Sequence, residues 1–308
     1  MGKANISVIT SVFLLLLAQT LSAEQLKFSA RQIGEAVDFE YTWKDAVGRE
    51  INTEFMLNTQ DVKLGYTEFK AFKKEAYEQK LLEAMIAEGN KIGKLLNINV
   101  KVQKTPNGFS TTANGPPDQI DKAINYLNER KPIIESEIFK DGYFTSTKRG
   151  NIITISPDYK TIAARYADVM FYVAKSLLMT AGPTMRSAVT HYLNFIRSIP
   201  YSTEFTNGAQ YQTPVGMLME NKGDCDTKAI AFAALMQNFD INVIFVLLPE
   251  HMLVGIEIPA ESGDATLVVD GRTYVLAEAS GPALLPLGEL APLSSQIVQS
   301  GNYSILSN

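Results

Sequence analysis

The chain holds one cysteine and two histidines, and one of each stands where chemistry could be done. Cys225 lies in Gly223-Asp224-Cys225-Asp226, ahead of Thr227-Lys228-Ala229 and the apolar run Ile230-Ala231-Phe232-Ala233-Ala234-Leu235-Met236. A helix apolar on every side is a buried one, so the pattern predicts a thiol at the N-terminal tip of a helix sunk in a core. Free backbone N–H groups and the positive end of the helix dipole there favour thiolate over thiol. A thiol nucleophile also needs a base within about 3 Å and a third group to orient that base. His251 is the histidine downstream of the cysteine, at the start of an apolar segment that could return beside the helix tip. Two carboxylates can orient it. Asp270 sits in Asp270-Gly271, where turn chemistry already explains an aspartate. Glu278 follows Arg272-Thr273-Tyr274-Val275-Leu276-Ala277, where nothing local demands a carboxylate, and is the preferred partner. His191 falls beside the apolar stripe of a helix with no partner at a useful spacing, and reads as a structural or surface histidine.

The elements that must position these residues are legible around them. Residues 242–248 form a continuous β-branched run, hence a buried strand. Pro249-Glu250 breaks it, and 251–258 is the next strand with His251 at its start. The runs 265–269 and 272–277 flank Asp270-Gly271, a strong hairpin signal, and 282–308 is a largely apolar extension draped over the body. Upstream, Ser156-Pro157-Asp158 reads as a helix start with an N-cap serine and proline at the first helical position. A second helix covers 184–198 and stops at Pro200. Residues 24–155 read as a separate α+β unit. It has strands across 28–58, a helix from 66 to about 94, and a strand at 98–102 turned by Pro106-Asn107-Gly108 into 109–112. A helix opened by Pro116-Pro117-Asp118 and a strand at 151–155 complete it. This unit contains no catalytic motif and reads as a packing or substrate-presenting domain. The expected fold class is α+β, with the site in 156–308.

Composition narrows the setting. Of 308 residues 46% are apolar, and the net charge is −5 with no sustained basic block, so nucleic acid is not an expected partner. Met1-Gly2-Lys3, the apolar run 6–18 and the small residues of Thr20-Leu21-Ser22-Ala23 form a secretory signal cleaved after Ala23, implying a periplasmic or secreted protein. No cysteine lies near that point to carry a lipid, and no later segment reaches the length of a membrane span. Export sharpens the meaning of the lone cysteine. It cannot form an internal disulfide, and an unpaired thiol in an oxidising compartment is a liability unless buried or useful. Burial accounts for the helix but not for its polar Gly-Asp-Cys-Asp entrance.

Together these segments resemble the transglutaminase-like superfamily, a papain-related group. The likeness rests on Gly223-Asp224-Cys225-Asp226 before an apolar helix, Ile199-Pro200-Tyr201 upstream, His251 with its strand, and Tyr274-Val275-Leu276-Ala277-Glu278. It spans about 156–285. The resemblance implies a catalytic helix against an antiparallel sheet, with the base and the acid on adjacent strands. It implies thiolate attack on an amide or ester carbonyl of a protein or peptide, giving a thioester that water or an amine resolves. In those terms Cys225 is the nucleophile, His251 the base and Glu278 the orienter, with the Cys225 N–H contributing to the oxyanion hole. Two departures stand out. Arg197 occupies a position where related bacterial cysteine proteinases often carry glutamine, which leaves Gln212 and Tyr211 as candidate side-chain donors, and glutamate replaces the commoner aspartate. No cofactor is expected. Calcium, which some exported relatives bind near this turn, would have to draw on Asp224 and Asp226, residues that helix capping also explains. The alternative is a catalytically silent binding or assembly protein of the cell envelope on the same fold.

Overall fold

The computed structural model describes residues 24–105, 108–149, 152–204, 211–281 and 285–306. The expected signal segment lies outside the described residues, as do Pro106 and Asn107 of the expected turn.

The described chain opens with an antiparallel meander of β1 (Glu24–Ile33), β2 (Ala36–Lys44) and β3 (Glu50–Asn58). The period-2 pattern buries Val37, Phe39, Tyr41 and Trp43 on β2 and Ile51, Thr53, Phe55 and Leu57 on β3. Next come α1 (Thr59–Thr67), α2 (Lys74–Leu96), the hairpin β4 (Asn99–Thr105) and β5 (Gly108–Asn114), α3 (Pro117–Asp141), and the hairpin β6 (Phe144–Arg149) and β7 (Ile152–Pro157). Four helices follow, α4 (Tyr159–Leu178), α5 (Met185–Ser198), α6 (Pro214–Glu220) and α7 (Cys225–Gln237). The chain ends with β8 (Val243–Leu248), β9 (His251–Ile256), β10 (Thr266–Val269), β11 (Arg272–Ala277), α8 (Pro292–Ser300) and β12 (Ser304–Leu306). These last five strands form one antiparallel sheet in the order β10-β11-β9-β8-β12. The fold is α+β. Among the described residues, no helix is long and apolar enough to cross a membrane.

Two local expectations give way to tertiary contacts. The helix expected over 66–94 is interrupted between α1 and α2. There Phe69 is buried with its ring centroid 4.2 Å from that of Tyr211, and Glu68 accepts from Tyr143 Oη at 2.8 Å and Arg165 Nε at 2.9 Å. These anchors pin a non-helical segment that helix propensity alone would not interrupt. Ser156-Pro157 belongs to the end of β7 rather than to a helix start. The N-cap is Asp158, whose Oδ1 accepts from the Thr161 N–H at 3.0 Å.

The division at residue 155 cuts across the principal core. Phe39, Tyr41, Trp43, Phe55 and Leu57 pack in one cluster with Tyr166, Met170, Tyr192, Phe195 and the buried face of α7. Trp43 lies 5.9 Å from Phe195, and Tyr41 Oη donates to the Leu218 carbonyl at 2.9 Å. Each such fully buried aromatic contributes roughly 2–3 kcal/mol of transfer free energy. The part with a core of its own is the region of α2, β4, β5 and α3, built on Leu81, Met85, Ile92, Val100, Val102, Ala123, Leu127 and Ile134. Alternation along β2 and β3 reports that one face is buried, but not which element covers it.

The C-terminal sheet is buried on both faces. Phe245, Met252, Val254, Val275 and Ala277 face α7 in the principal core. Ile244, Val246, Leu248, Leu253, Tyr274 and Leu276 face outward and are covered by Leu290, Ile297, Val298, Tyr303 and Ile305 of the C-terminal arm. The extension therefore does drape over the body, and it adds a helix and an edge strand in doing so.

Candidate active site

Cys225 opens α7 as the first helical residue. Asp224 is the N-cap, its Oδ1 accepting from the Thr227 N–H at 2.8 Å, and residues 227–236 of the helix are all buried. The turn before it is tied to the end of α5. The Gly223 N–H donates to the Pro200 carbonyl at 3.1 Å, and the Ser202 N–H donates to the Gly223 carbonyl at 3.2 Å. A Cβ on Gly223 would meet Met217 Cγ at 3.1 Å and Thr227 Cγ2 at 3.2 Å, so the close approach favours glycine. The Pro200-Tyr201 stretch thus sets the height of the cysteine turn.

His251 begins β9 directly after the two-residue turn Pro249-Glu250. Glu278 follows β11, which pairs with β9 through Ala277 and Val254. This register brings Glu278 Oε2 to 2.6 Å from His251 Nε2. Asp270 is instead at the exposed tip of the β10–β11 hairpin, where φ is 51° at Asp270 and 77° at Gly271. Its turn role accounts for it, and Glu278 is the carboxylate that meets the imidazole. Burial would raise the pKa of Glu278. Hydrogen bonds from His251 and Ser294, the His251 charge and the Ala291 N–H outweigh that and hold it below the usual carboxylate range.

Cys225 and His251 line one cleft of about 370 Å³, together with Tyr159, Tyr201, Asp226 and Met252. Within it the thiol donates to Asp226 Oδ1 at 3.3 Å, not to the imidazole, and Tyr159 Oη donates to Asp226 Oδ2 at 2.8 Å. Burial, then the charges of Asp226 and Asp224, push the Cys225 pKa up to about 12, against a lowering hydrogen bond from the Met252 backbone. The expected helix-tip thiolate is therefore not the resting species. A helix N-terminus contributes about 0.3–1 kcal/mol, whereas desolvation and like charge together can move a pKa by several units. Asp224 is itself raised to about 6, chiefly by burial, with its hydrogen bonds to Thr227 opposing.

The two candidate side-chain donors do not line this cleft. Gln212 is buried with neither Oε1 nor Nε2 hydrogen-bonded, and its backbone N–H donates to Thr227 Oγ1 at 2.9 Å. Tyr211 Oη is likewise buried without a partner. Arg197 does not point to the cleft either. Its Nε donates to the Glu278 carbonyl at 2.7 Å, and its Nη1 to the Leu285 carbonyl at 2.7 Å and to Asn194 Oδ1 at 3.2 Å. Desolvation lowers its pKa to about 10, with the Glu278 charge opposing.

Three supporting groups escaped the sequence reading. Lys228, buried one turn beyond the cysteine, donates to the carbonyls of Ile199, Ser280 at 2.8 Å and Arg197 at 3.5 Å. Burial and then the Arg197 charge lower its pKa to about 7. Its signal was present, since a single lysine in an otherwise apolar helix must find partners indoors. Tyr159 and Ser294 had no local signal. Of the two readings of His191, structural or surface, the structure gives the first. The residue is 6% exposed, its Nε2 lies 3.0 Å from Thr180 Oγ1 and its ring 5.0 Å from Trp43, and desolvation lowers its pKa to about 4.

For calcium the residues fit poorly. The Asp224 carboxylate is engaged in capping and that of Asp226 with Tyr159 and the thiol. Among the described residues, no group of three or more His, Cys, Asp or Glu is placed to hold a metal ion. Compared with protein-family models, with curated proteins and with solved structures, the chain finds no match.

Proposed function

We propose that this chain carries out thiol-dependent amide chemistry, hydrolysing a peptide or isopeptide bond or transferring its acyl group through a thioester on Cys225. In this reading the C-terminal half is a transglutaminase-like, cysteine protease-like unit, working in the periplasm or outside the cell. The basic start and apolar run ahead of Ala23 support export. The observation that carries the function is the shared cleft. The thiol at the tip of α7 and an imidazole held by Glu278 open onto the same 370 Å³ space.

The resting thiol is protonated, so the mechanism is general-base rather than ion-pair chemistry. The thiol leaves Asp226 and hands its proton to His251 Nδ1 as Sγ attacks the carbonyl carbon. His251 Nε2 is already engaged by Glu278, which stabilises the imidazolium that forms. The Cys225 N–H, one of the free donors of the first helical turn, faces the developing oxyanion. The imidazolium then protonates the leaving amine. Water or an amine, deprotonated by the same imidazole, releases the acyl group.

The test is the pH profile of Cys225 alkylation by iodoacetamide, followed by intact mass, alongside release of fluorescent peptide from labelled casein and incorporation of a dansylated amine. The expected result is an alkylation plateau near neutral pH that His251→Ala removes, with casein turnover lost in Cys225→Ser. A rate that rises without inflection past about pH 10, equal in both proteins, would sink the reading.

One observation favours a second reading, a catalytically silent binding or assembly protein. The thiol is hydrogen-bonded to a carboxylate and its pKa is pushed up to about 12. That reading expects Cys225→Ala to retain every function of the wild type in the producing cell.

A further inference from the structure

We propose that α8 is part of the site and that Ser294 is a positioning residue, fixing the Glu278 carboxylate toward His251 together with the Ala291 N–H. The functional meaning of this inference rests on the thiol–imidazole–carboxylate reading above, while its geometry stands apart from it.

Glu278 is 7% exposed, and an ionised carboxylate has about four acceptor sites to satisfy. Oε2 is taken by His251 Nε2 at 2.6 Å. Oε1 accepts the Ala291 N–H at 3.2 Å, and the side chain of the buried Ser294 supplies a further hydrogen bond. Ala291 is the N-cap of α8 and Pro292 follows it. One backbone donor at that helix start, the Ala291 N–H, therefore faces an anion that the protein itself supplies. The charged and titratable groups around the pair are His251 on β9, Arg197 on α5, and Cys225, Asp224, Asp226 and Glu250 at the cleft. Arg197 donates to the backbone carbonyl of Glu278, not to its carboxylate. Within the hydrogen bonds to the carboxylate, α8 is thus the element that complements His251.

The placement of α8 is secured independently. Ile297 and Val298 lie on the outer face of the C-terminal sheet over Ile244, Val246 and Leu276. Strand β12 then pairs with β8 through Ser304–Leu247, Ile305–Val246 and Leu306–Phe245. The arm beyond residue 285, outside the stretch that resembles a known family, so delivers donors to the acid of the site. A physical need for them exists. Glutamate has one more rotatable bond than aspartate, and its terminal torsion is broad. The Ala291 N–H on Oε1 and the Ser294 side chain hold that extra freedom in the rotamer that serves the imidazole.

The experiment reads the His251–Glu278 hydrogen bond directly in the full chain by proton NMR in water. An imidazole N–H bonded to a carboxylate resonates far downfield of the amides. The signal is assigned by its loss in His251→Gln and its survival in His191→Gln. Ser294→Ala is expected to move it upfield or broaden it away, and to slow neutral-pH alkylation of Cys225 by about tenfold, as loss of one charge-assisted hydrogen bond would. Ser294→Thr, which keeps the hydroxyl, is expected to restore both. If Ser294→Ala fails to fold, Ser294→Val against the isosteric Ser294→Thr makes the same comparison at equal volume. A wild-type resonance in folded Ser294→Ala or Ser294→Val overturns the proposal. A resonance that follows the hydroxyl supports it even in a protein whose thiol proves unreactive, an outcome that would fail the catalytic reading alone.

Discussion

The region of α2, β4, β5 and α3 and the region around α7 solve opposite problems. The first keeps its charges outside. Its ion pairs, such as Lys74–Glu78, Lys122–Asp118 and Lys131–Glu135, are largely solvent-exposed, and among the described residues of 74–141 none is both polar and buried. The second buries Arg197, Asp224, Lys228, Glu278, Ser280 and Ser294. Burying polar groups costs free energy unless every one finds a partner. Here the partners are mostly backbone carbonyls and helix ends rather than opposite charges. The contrast separates a unit whose polar residues are compatible with simple solvation from one whose polar residues are held in place. Polar burial of the second kind is found where sites are positioned.

The comparison can be broken most decisively at Lys228. Replacing it with methionine leaves three buried carbonyls short of a donor, and should cost about 3 kcal/mol in urea unfolding. A loss below about 1 kcal/mol would mean that the buried lysine is a passenger. The effect of pH comes next. Desolvation lowers His191 to about 4 in the folded chain from an ordinary 6.5. The unfolded chain therefore binds the extra proton first, and stability should fall by about 1–2 kcal/mol as pH drops from about 6.5 to 5. Asp224, raised to about 6, works in the opposite sense over roughly pH 6 to 4 because the folded state then holds the extra proton. Melting curves of His191→Gln should lose the acid-side decline, and those of Asp224→Asn should steepen it.

A smaller effect is expected at Asp226. Asparagine keeps an acceptor for Tyr159 but removes the like charge beside the sulfur. The thiol should then titrate lower, and alkylation at about pH 8 should accelerate roughly tenfold. An unchanged rate would show that burial alone governs this thiol. The smallest effect belongs to the other region. Lys131→Ala removes an exposed i,i+4 pair with Glu135 and should change stability by no more than about 0.5 kcal/mol. A cost as large as that of Lys228→Met would erase the distinction between the two regions.

What the sequence determined by itself was local. The apolar run after Cys225 specified a buried helix, the alternation in β2 and β3 a one-sided sheet, and Asp270-Gly271 a tight hairpin. Period, capping and turn chemistry act over a few residues and leave a readable trace. The order of Cys225, His251 and Glu278 on helix and strands was legible for the same reason. The tertiary structure alone decided what covers each buried face, and so placed β1–β3 in the core of α4, α5 and α7 across the expected boundary. It alone interrupted the helix at Glu68 and Phe69, whose anchors come from 75 to 142 residues away in sequence. It also decided the state of the central thiol. A helix tip argues for thiolate from sequence, but a pKa is summed over neighbours in space, and burial together with Asp226 and Asp224 outweighs the dipole. The hold of α8 on Glu278 belongs to the same class. No periodicity links residue 278 to residue 294, and only the docking of the C-terminal arm on the sheet brings them together.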